Sequence, residues 1–245
     1  MKIKNRKKLR VICIIPARGG SKGIKFKNLQ KICGKPLLYY PIKAALKSKV
    51  CDHIFVSTDS KLIAKESKKY GANVPFLRKK KYSGDRVTTE STLKDALKQY
   101  ESFFKIKFDI CVFLTCTNIF RQASWITEAV NILKKNNKID SAFSVHSFYK
   151  HIWHFKGKKL KKVLPWMKEY TSRQIAPKLF REDTGIALAS RAQLWRKGKR
   201  IGKKVKLIYS DFPFSEVDIH DKYDLEVANS AIKLLKKDKK IKHIF

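Results

Sequence analysis

The sequence predicts one doubly wound α/β domain on a mostly parallel sheet. Short β-branched runs alternate with segments whose apolar residues recur every three or four positions, the pattern of strand and helix in turn. The first such run, Val11–Ile15, is apolar throughout, as a strand buried on both faces is. A length of 245 residues with 43% hydrophobic side chains suits one large domain, or one with a sizeable insertion, and excludes global disorder.

The elements follow in order. After strand Val11–Ile15 comes a helix over Pro36–Lys47, with Leu37, Tyr40, Ile42, Ala45 and Leu46 on its apolar face. Strand His53–Ser57 leads to a helix over Lys61–Tyr70, stopped by Gly71, and a third helix runs from about Thr88 to Phe103. Strand Asp109–Thr115 precedes a helix over Ser124–Lys135, where Ile126, Val130 and Leu133 are in register. Strand Ser141–Val145 is followed by an interruption over about 146–184, read as a small excursion of strands and loops turning at Gly157. Runs Val205–Tyr209 and Glu216–Ile219 are predicted strands, and Tyr223–Lys236 the last helix. Such alternation implies right-handed crossovers, with residues 1–245 as a single domain.

Lys plus Arg number 57 against 20 Asp plus Glu, a formal charge of +37. The basic clusters are scattered, Lys exceeds Arg, and aromatics are not interleaved with them, which argues against a specific nucleic-acid partner. The charge would steer an anionic small molecule toward a concave site. No run approaches the roughly 18 apolar residues that span a bilayer, so no membrane insertion is expected. The basic start Met1–Arg10 precedes only five apolar residues, short of the about 7–15 of a cleavable signal. Five cysteines (Cys13, Cys33, Cys51, Cys111, Cys116), with no CxxC pair, read as core thiols rather than a disulfide or zinc framework. A cytoplasmic protein is expected.

The strongest local feature is the turn after the first strand, Pro16-Ala17-Arg18-Gly19-Gly20-Ser21-Lys22-Gly23-Ile24-Lys25-Phe26-Lys27-Asn28. Ligands bind where buried parallel strands end. Glycines there let backbone amides approach phosphate oxygens, and Arg18, Lys22 and Lys27 supply charge-assisted contacts. The run is neither GxxxxGK[ST] nor GxGxxG. A second feature, Glu216-Val217-Asp218-Ile219-His220-Asp221, suits a hard cation such as Mg²⁺. It equally suits a helix cap at Asp221 and a lysine partner for Asp218. Third is Phe113-Leu114-Thr115-Cys116-Thr117-Asn118-Ile119-Phe120-Arg121; fourth is Arg173-Gln174 with Phe180-Arg181-Glu182-Asp183-Thr184-Gly185 after it.

The opening Pro16–Gly23 with Lys27-Asn28, then Gly34-Lys35-Pro36-Leu37, resembles the acylneuraminate cytidylyltransferases (CMP-sialic acid synthetases). Val56-Ser57-Thr58-Asp59, Tyr70-Gly71-Ala72, Val74-Pro75-Phe76-Leu77-Arg78, Asp85, Arg121, Arg173-Gln174, Phe180-Arg181, Asp218-Ile219 and Asp224-Leu225 continue the likeness in order, over about residues 10–232. The resemblance implies a Rossmann-like fold of the nucleotide-diphospho-sugar transferase type, whose excursion helps build a homodimer. It implies transfer of CMP from CTP to the anomeric hydroxyl of an acidic nine-carbon sugar, with Mg²⁺ bridging phosphate oxygens. By similarity Arg18, Ser21, Lys22 and Lys27 hold the triphosphate, with Arg18, Lys22 and Lys27 catalytic. Asn28 and Arg78 lie nearer the nucleoside, with Asp85 on its loop. Thr115, Arg121, Arg173 and Gln174 face the sugar acid, and Asp218, with Asp221, the metal.

Two departures stand out. The family's third loop commonly reads Leu-Gln-Pro-Thr-Ser-Pro-Leu-Arg, where this chain has Thr115 for Gln, Cys116 for the first Pro, and Asn118-Ile119 for Ser-Pro. A shorter hydroxyl in place of Gln implies a different sugar or a water-filled contact. The usual Asp-Ile-Asp becomes Asp218-Ile219-His220, with Asp221 one residue later. His220 beside the metal, Asp221 reaching it, or Asp218 with waters are the alternatives, the last preferred. Another acidic sugar such as 3-deoxy-octulosonate, or a catalytically idle anion-binding protein of this fold, are the competing readings.

Overall fold

The structure is a computed structural model that describes residues 8–21, 23–164, 172 and 174–238. In chain order it comprises β1 (Val11–Pro16), β2 (Lys31–Ile32), β3 (Lys35–Pro36), α1 (Tyr39–Ser48), β4 (His53–Ser57), α2 (Lys61–Lys69), α3 (Thr89–Phe104) and β5 (Ile110–Phe113). There follow α4 (Ala123–Lys135), β6 (Ser141–Phe148), β7 (Trp153–Lys156), β8 (Lys159–Lys162), β9 (Leu179–Glu182), β10 (Leu188–Arg191), α5 (Ala192–Arg196), β11 (Val205–Tyr209) and α6 (Lys222–Lys237).

The main sheet runs β11-β6-β10-β5-β1-β4, with β9 also on β6. β1 pairs in parallel with β4 (Ile15 opposite Val56) and with β5 (Ile14 opposite Phe113), and β11 is parallel to β6. β10 runs antiparallel between β5 and β6, and β9 antiparallel along the end of β6, so the sheet is mostly parallel as the sequence predicts. The alternating side chains of β1 explain its unbroken apolar run. Val11, Cys13 and Ile15 join a core with α1, α4 and α6, whereas Ile12 and Ile14 join a core on the other face with α3 and α5. Each fully buried aliphatic side chain is worth about 1.5–3 kcal/mol.

One predicted strand is corrected. Glu216–Ile219 forms no ladder: Phe214 takes a left-handed φ of 62°, Val217 N–H closes a turn on Phe214 O, and Ile219 N–H reaches Thr117 O at 3.2 Å. The excursion contains the β7–β8 hairpin and β9, which returns to β6. A four-residue bulge, 183–186, separates β9 from β10 on the same partner, since Glu182 faces Val145 but Leu188 faces Phe143.

β4 lies on one side of β1 and β5 on the other, so the connections leaving the ends of these strands part at β1. That divergence is the topological switch point at which open α/β sheets bind ligands.

Candidate active site

A cleft of about 550 Å³ opens at that point, between the loop that follows β1, the segment that joins α2 to α3 with the first turn of α3, and the loop that follows β5. Of the sequence-predicted residues, Arg18, Ser21, Lys27, Asn28, Arg78, Asp85 and Thr115 line it together, with Gly23 and His220.

The loop after β1 is held both by its neighbours and by its own side chains. Gly19 N–H donates to Asp59 Oδ1 (2.8 Å), and Asn28, 7% exposed, donates through Nδ2 to Arg18 O (2.9 Å). Asn28 therefore fixes the cradle from beneath. Gly23 passes so close to the chain before α6 that a Cβ there would lie 2.5 Å from His220 O. Arg18 Nη1 meets Asp85 Oδ1 at 2.8 Å across the cleft.

Lys27 is half-buried, and its Nζ donates to Ile219 O at 2.9 Å. Burial lowers its pKa from the ordinary 10.5, and the neighbouring Asp218 opposes that shift. Arg78 is 7% exposed; its Nε donates to Ser57 Oγ (3.1 Å), Nη2 to Ser57 O and Nη1 to Tyr82 O (3.4 Å). Burial brings its pKa down to about 10, with Asp59 acting in the opposite sense, so it stays a cation at neutral pH. Its donors tie the end of β4 to the 3-10 turn Lys80–Tyr82, making it a positioning group for that wall.

Cys116 and Thr117, part of the third loop singled out in the sequence, also line the cleft, as do Tyr82, Thr89 and Thr92, which sequence reasoning missed. Thr89 and Thr92 belong to the first turn of α3, capped by Thr88 Oγ1 accepting from Ser91 N–H (3.2 Å). The positive end of that helix thus adds to the cationic wall. The signal was present in Thr88-Thr89 ahead of the apolar stripe. Cys116 is buried and its pKa is pushed up to about 12, so it remains a neutral thiol.

Other expected residues do not converge. Arg121 does not line the cleft: it is 6% exposed, with Nε donating to Ile186 O (2.8 Å) and Nη2 to Thr115 O (2.6 Å) and Gly185 O (2.8 Å). It buttresses the third loop against the 183–186 bulge. Thr115 donates its hydroxyl to Asn118 Oδ1 (2.6 Å), with Gly185 O at 3.2 Å, so the hydroxyl turns into the loop. A Cβ on Gly185 would lie 2.6 Å from Asn118 Oδ1, which makes glycine necessary where bulge and loop meet. Gln174 sits exposed in a turn and does not line the cleft. Lys22 and Arg173 lie outside the described residues.

Asp221 is occupied as a helix cap. Its Oδ1 accepts from Tyr223 and Asp224 N–H (2.8 and 3.1 Å), while Asp224 Oδ2 accepts from His220 and Asp221 N–H (2.7 and 3.1 Å). These bonds hold the Asp224 pKa below its usual 3.8, the one from His220 N–H most strongly. Asp218 is not part of that cap: its Oδ2 lies 3.7 Å from His220 Nε2, and its Oδ1 is buried with no hydrogen-bond partner among the described residues. No group of three or more His, Cys, Asp or Glu able to hold a metal occurs among the described residues.

A profile described as cytidylyltransferase matches residues 12–240. The chain is 30% identical over 226 residues to the post-translational flagellin modification protein B of Campylobacter coli, covering 91% of this chain and 95% of that protein. It is 32% identical over 227 residues to the CMP-N,N'-diacetyllegionaminic acid synthase of Campylobacter jejuni, again covering 91% and 95%. Among solved structures, a CMP:2-keto-3-deoxy-manno-octonic acid synthetase complexed with CTP aligns with a TM-score of 0.67 over 92% of this chain and 99% of that one. At 13% identity this likeness concerns the fold.

Proposed function

Because this chain belongs to the cytidylyltransferase family, we propose that it transfers CMP from CTP to the anomeric hydroxyl of a nonulosonic sugar acid. The observation that carries this is the convergence of Arg18, Lys27 and the glycine-bearing loop after β1 on one cleft at the switch point.

In this reading the sugar oxygen forms a bond to the α-phosphorus, the bond from that phosphorus to the α–β bridging oxygen breaks, and pyrophosphate leaves with that oxygen. The hydroxyl proton is released. Phosphoryl-type transfer of this kind needs mainly alignment and charge neutralisation. Arg18, Ser21, Lys22 and Lys27 bind the triphosphate, Lys27 from a half-buried position where its charge is poorly screened. Asp85 holds Arg18 across the cleft until phosphate oxygens compete for the guanidinium. Asn28 and Arg78 keep the loops around the nucleoside in place. Arg173 and Gln174 are assigned to the sugar carboxylate by family likeness.

Mg²⁺ suits Asp218, whose Oδ1 is buried with no partner of its own among the described residues. Mg²⁺ takes one or two carboxylates with waters and phosphate oxygens, so a single Asp is enough when CTP is present. When bound it supplies charge neutralisation at the phosphates. Asp221, engaged as a cap, is not needed for it.

A homodimer is supported by the apolar side chains that the excursion leaves exposed, with Phe155 and Ile175 each 73% and Trp153 48% exposed. Sedimentation equilibrium should return twice the chain mass, and a monomer would refute the pairing. No helix among the described residues is long and apolar enough to cross a membrane. The free cysteines suit a reducing compartment, the cytoplasm.

The test is pyrophosphate release from CTP and Mg²⁺ with legionaminic, pseudaminic, sialic and 3-deoxy-octulosonic acids in parallel. Turnover with a nine-carbon acid is expected. Turnover with the octulosonate alone would reassign the acceptor, and none with any acid would overturn the reading.

A further inference from the structure

His146 is a buried, ionisable side chain that plays no part in the cleft chemistry. It lies near the end of β6, 4% exposed, where three parts of the fold meet. On one side its Nδ1 stands 3.3 Å from Asp183 Oδ2, and Arg181 Nη2 is 3.5 Å from both atoms. On the other, its Nε2 shares a 2.9 Å hydrogen bond with Ser215 Oγ, itself buried. The ring is a bridge with different partners at its two nitrogens.

Both ends belong to segments that shape the cleft. Asp183 opens the 183–186 bulge, and its N–H donates to Ser144 O at 2.9 Å. Gly185 O of the same bulge accepts from Thr115 N–H (2.9 Å), at the foot of the third loop. Ser215 stands three residues before Asp218, in a stretch that joins no ladder of the sheet. That stretch is fixed at Ser210, whose N–H donates to Val145 O (3.0 Å). Its next tie to the sheet among the described residues is the one from Ser215 to His146. Beyond it, Ile219 N–H reaches Thr117 O and Ile219 O receives Lys27 Nζ. A hydrogen bond buried away from competing water is well suited to fix such a stretch.

We infer that His146 is a positioning residue for the reaction: through Ser215 it sets where Asp218 and the Ile219 carbonyl stand against Lys27. Asp183 and Arg181 hold the imidazole from behind. The kinetic consequence rests on the proposed CMP transfer; the placement of the segment does not.

Two substitutions separate the ends of the bridge. In His146→Gln the amide reaches the place of Nε2 and keeps Ser215; in His146→Asn it reaches that of Nδ1 and keeps Asp183. Hydrogen exchange in the full chain is followed over residues 214–219, where Val217 and Ile219 amides are bonded to Phe214 O and Thr117 O. Exchange there should quicken in His146→Asn and in Ser215→Ala, and stay near wild type in His146→Gln. Pyrophosphate release is measured below the unfolding transition of every variant. In His146→Asn kcat should fall by about tenfold, with KM for CTP changed by less than about twofold. His146→Gln should keep most of the rate. His146→Asn combined with Ser215→Ala should be no slower than either alone, because both remove one bond. Equal exchange in the Gln and Asn variants would overturn the inference. So would additive losses in the double variant, or quickened exchange with kcat unchanged. A wild-type chain with no turnover would refute the CMP transfer, while the exchange pattern would still establish the strut.

Discussion

Lys27→Met is expected to lower kcat by about two to three orders of magnitude in a chain that still folds, as removing one preorganised donor from developing charge does. Among the described residues Lys27 Nζ donates one hydrogen bond, to Ile219 O, which leaves further N–H donors for phosphate oxygens. Its partial burial keeps water from screening the charge, and the same burial lowers its pKa from 10.5. The competent form is the protonated one. A lowered pKa therefore brings the alkaline loss of kcat/KM to lower pH than an exposed lysine would. Lys27→Arg should move that limb upward while restoring part of the rate. Circular dichroism checks the fold and initial rates of pyrophosphate release check the chemistry. An unchanged kcat in Lys27→Met would remove this cation from the mechanism.

The second large effect is expected at Gly23. An added Cβ would stand 2.5 Å from the carbonyl oxygen of His220, and backbone meets backbone there, so no flexible side chain can yield. Relief requires the loop after β1 to separate from the segment before α6. That segment carries Asp218 and the Ile219 carbonyl bonded by Lys27. Gly23→Ala should cost about 1–3 kcal/mol of stability by overpacking, and about 100-fold in kcat/KM through misplacement of the cradle. Gly20→Ala is the steric control, since a Cβ at Gly20 meets nothing within 4 Å of the protein and should leave stability near wild type. Equal loss of stability in the two variants would refute the argument. Chemical denaturation and steady-state kinetics on both proteins give the answer.

The contrast between these glycines shows what the sequence could carry. The run from Pro16 to Asn28 displays a cradle, but its glycines look alike until the partner of each is known. Gly23 is fixed by a carbonyl 197 positions later, at His220. Where structure is local, the sequence was legible. The β-branched runs at His53–Ser57 and Val205–Tyr209 are strands at those bounds, and the apolar spacing marked α2, α4 and α6 to within a residue or two. Asp221, offered as cap or metal ligand, is a cap because the bonds it needs are within three residues.

Where structure depends on distant partners, legibility failed. Glu216–Ile219 has the alternation of a strand, yet it pairs in no ladder among the described residues, and Ile219 is buried in the core shared with α1, α4 and α6 instead. β10 went unseen because Leu188-Ala189-Ser190-Arg191 lacks β-branched residues; its register with β5 and β6 makes it a strand. Arg121 reads as an anion ligand at the end of a polar loop. What turns it away from the cleft is the carbonyl row of the 183–186 bulge, more than sixty positions distant.

The central claim is that the glycine-bearing loop after β1 and Lys27 receive the triphosphate of CTP. A crystal structure with CTP and Mg²⁺ tests it most directly. Phosphate oxygens are expected within hydrogen-bond distance of the Gly19–Gly23 amides and Lys27 Nζ, with the cation on Asp218. A nucleotide seated elsewhere, with that loop facing bulk water, would contradict the account.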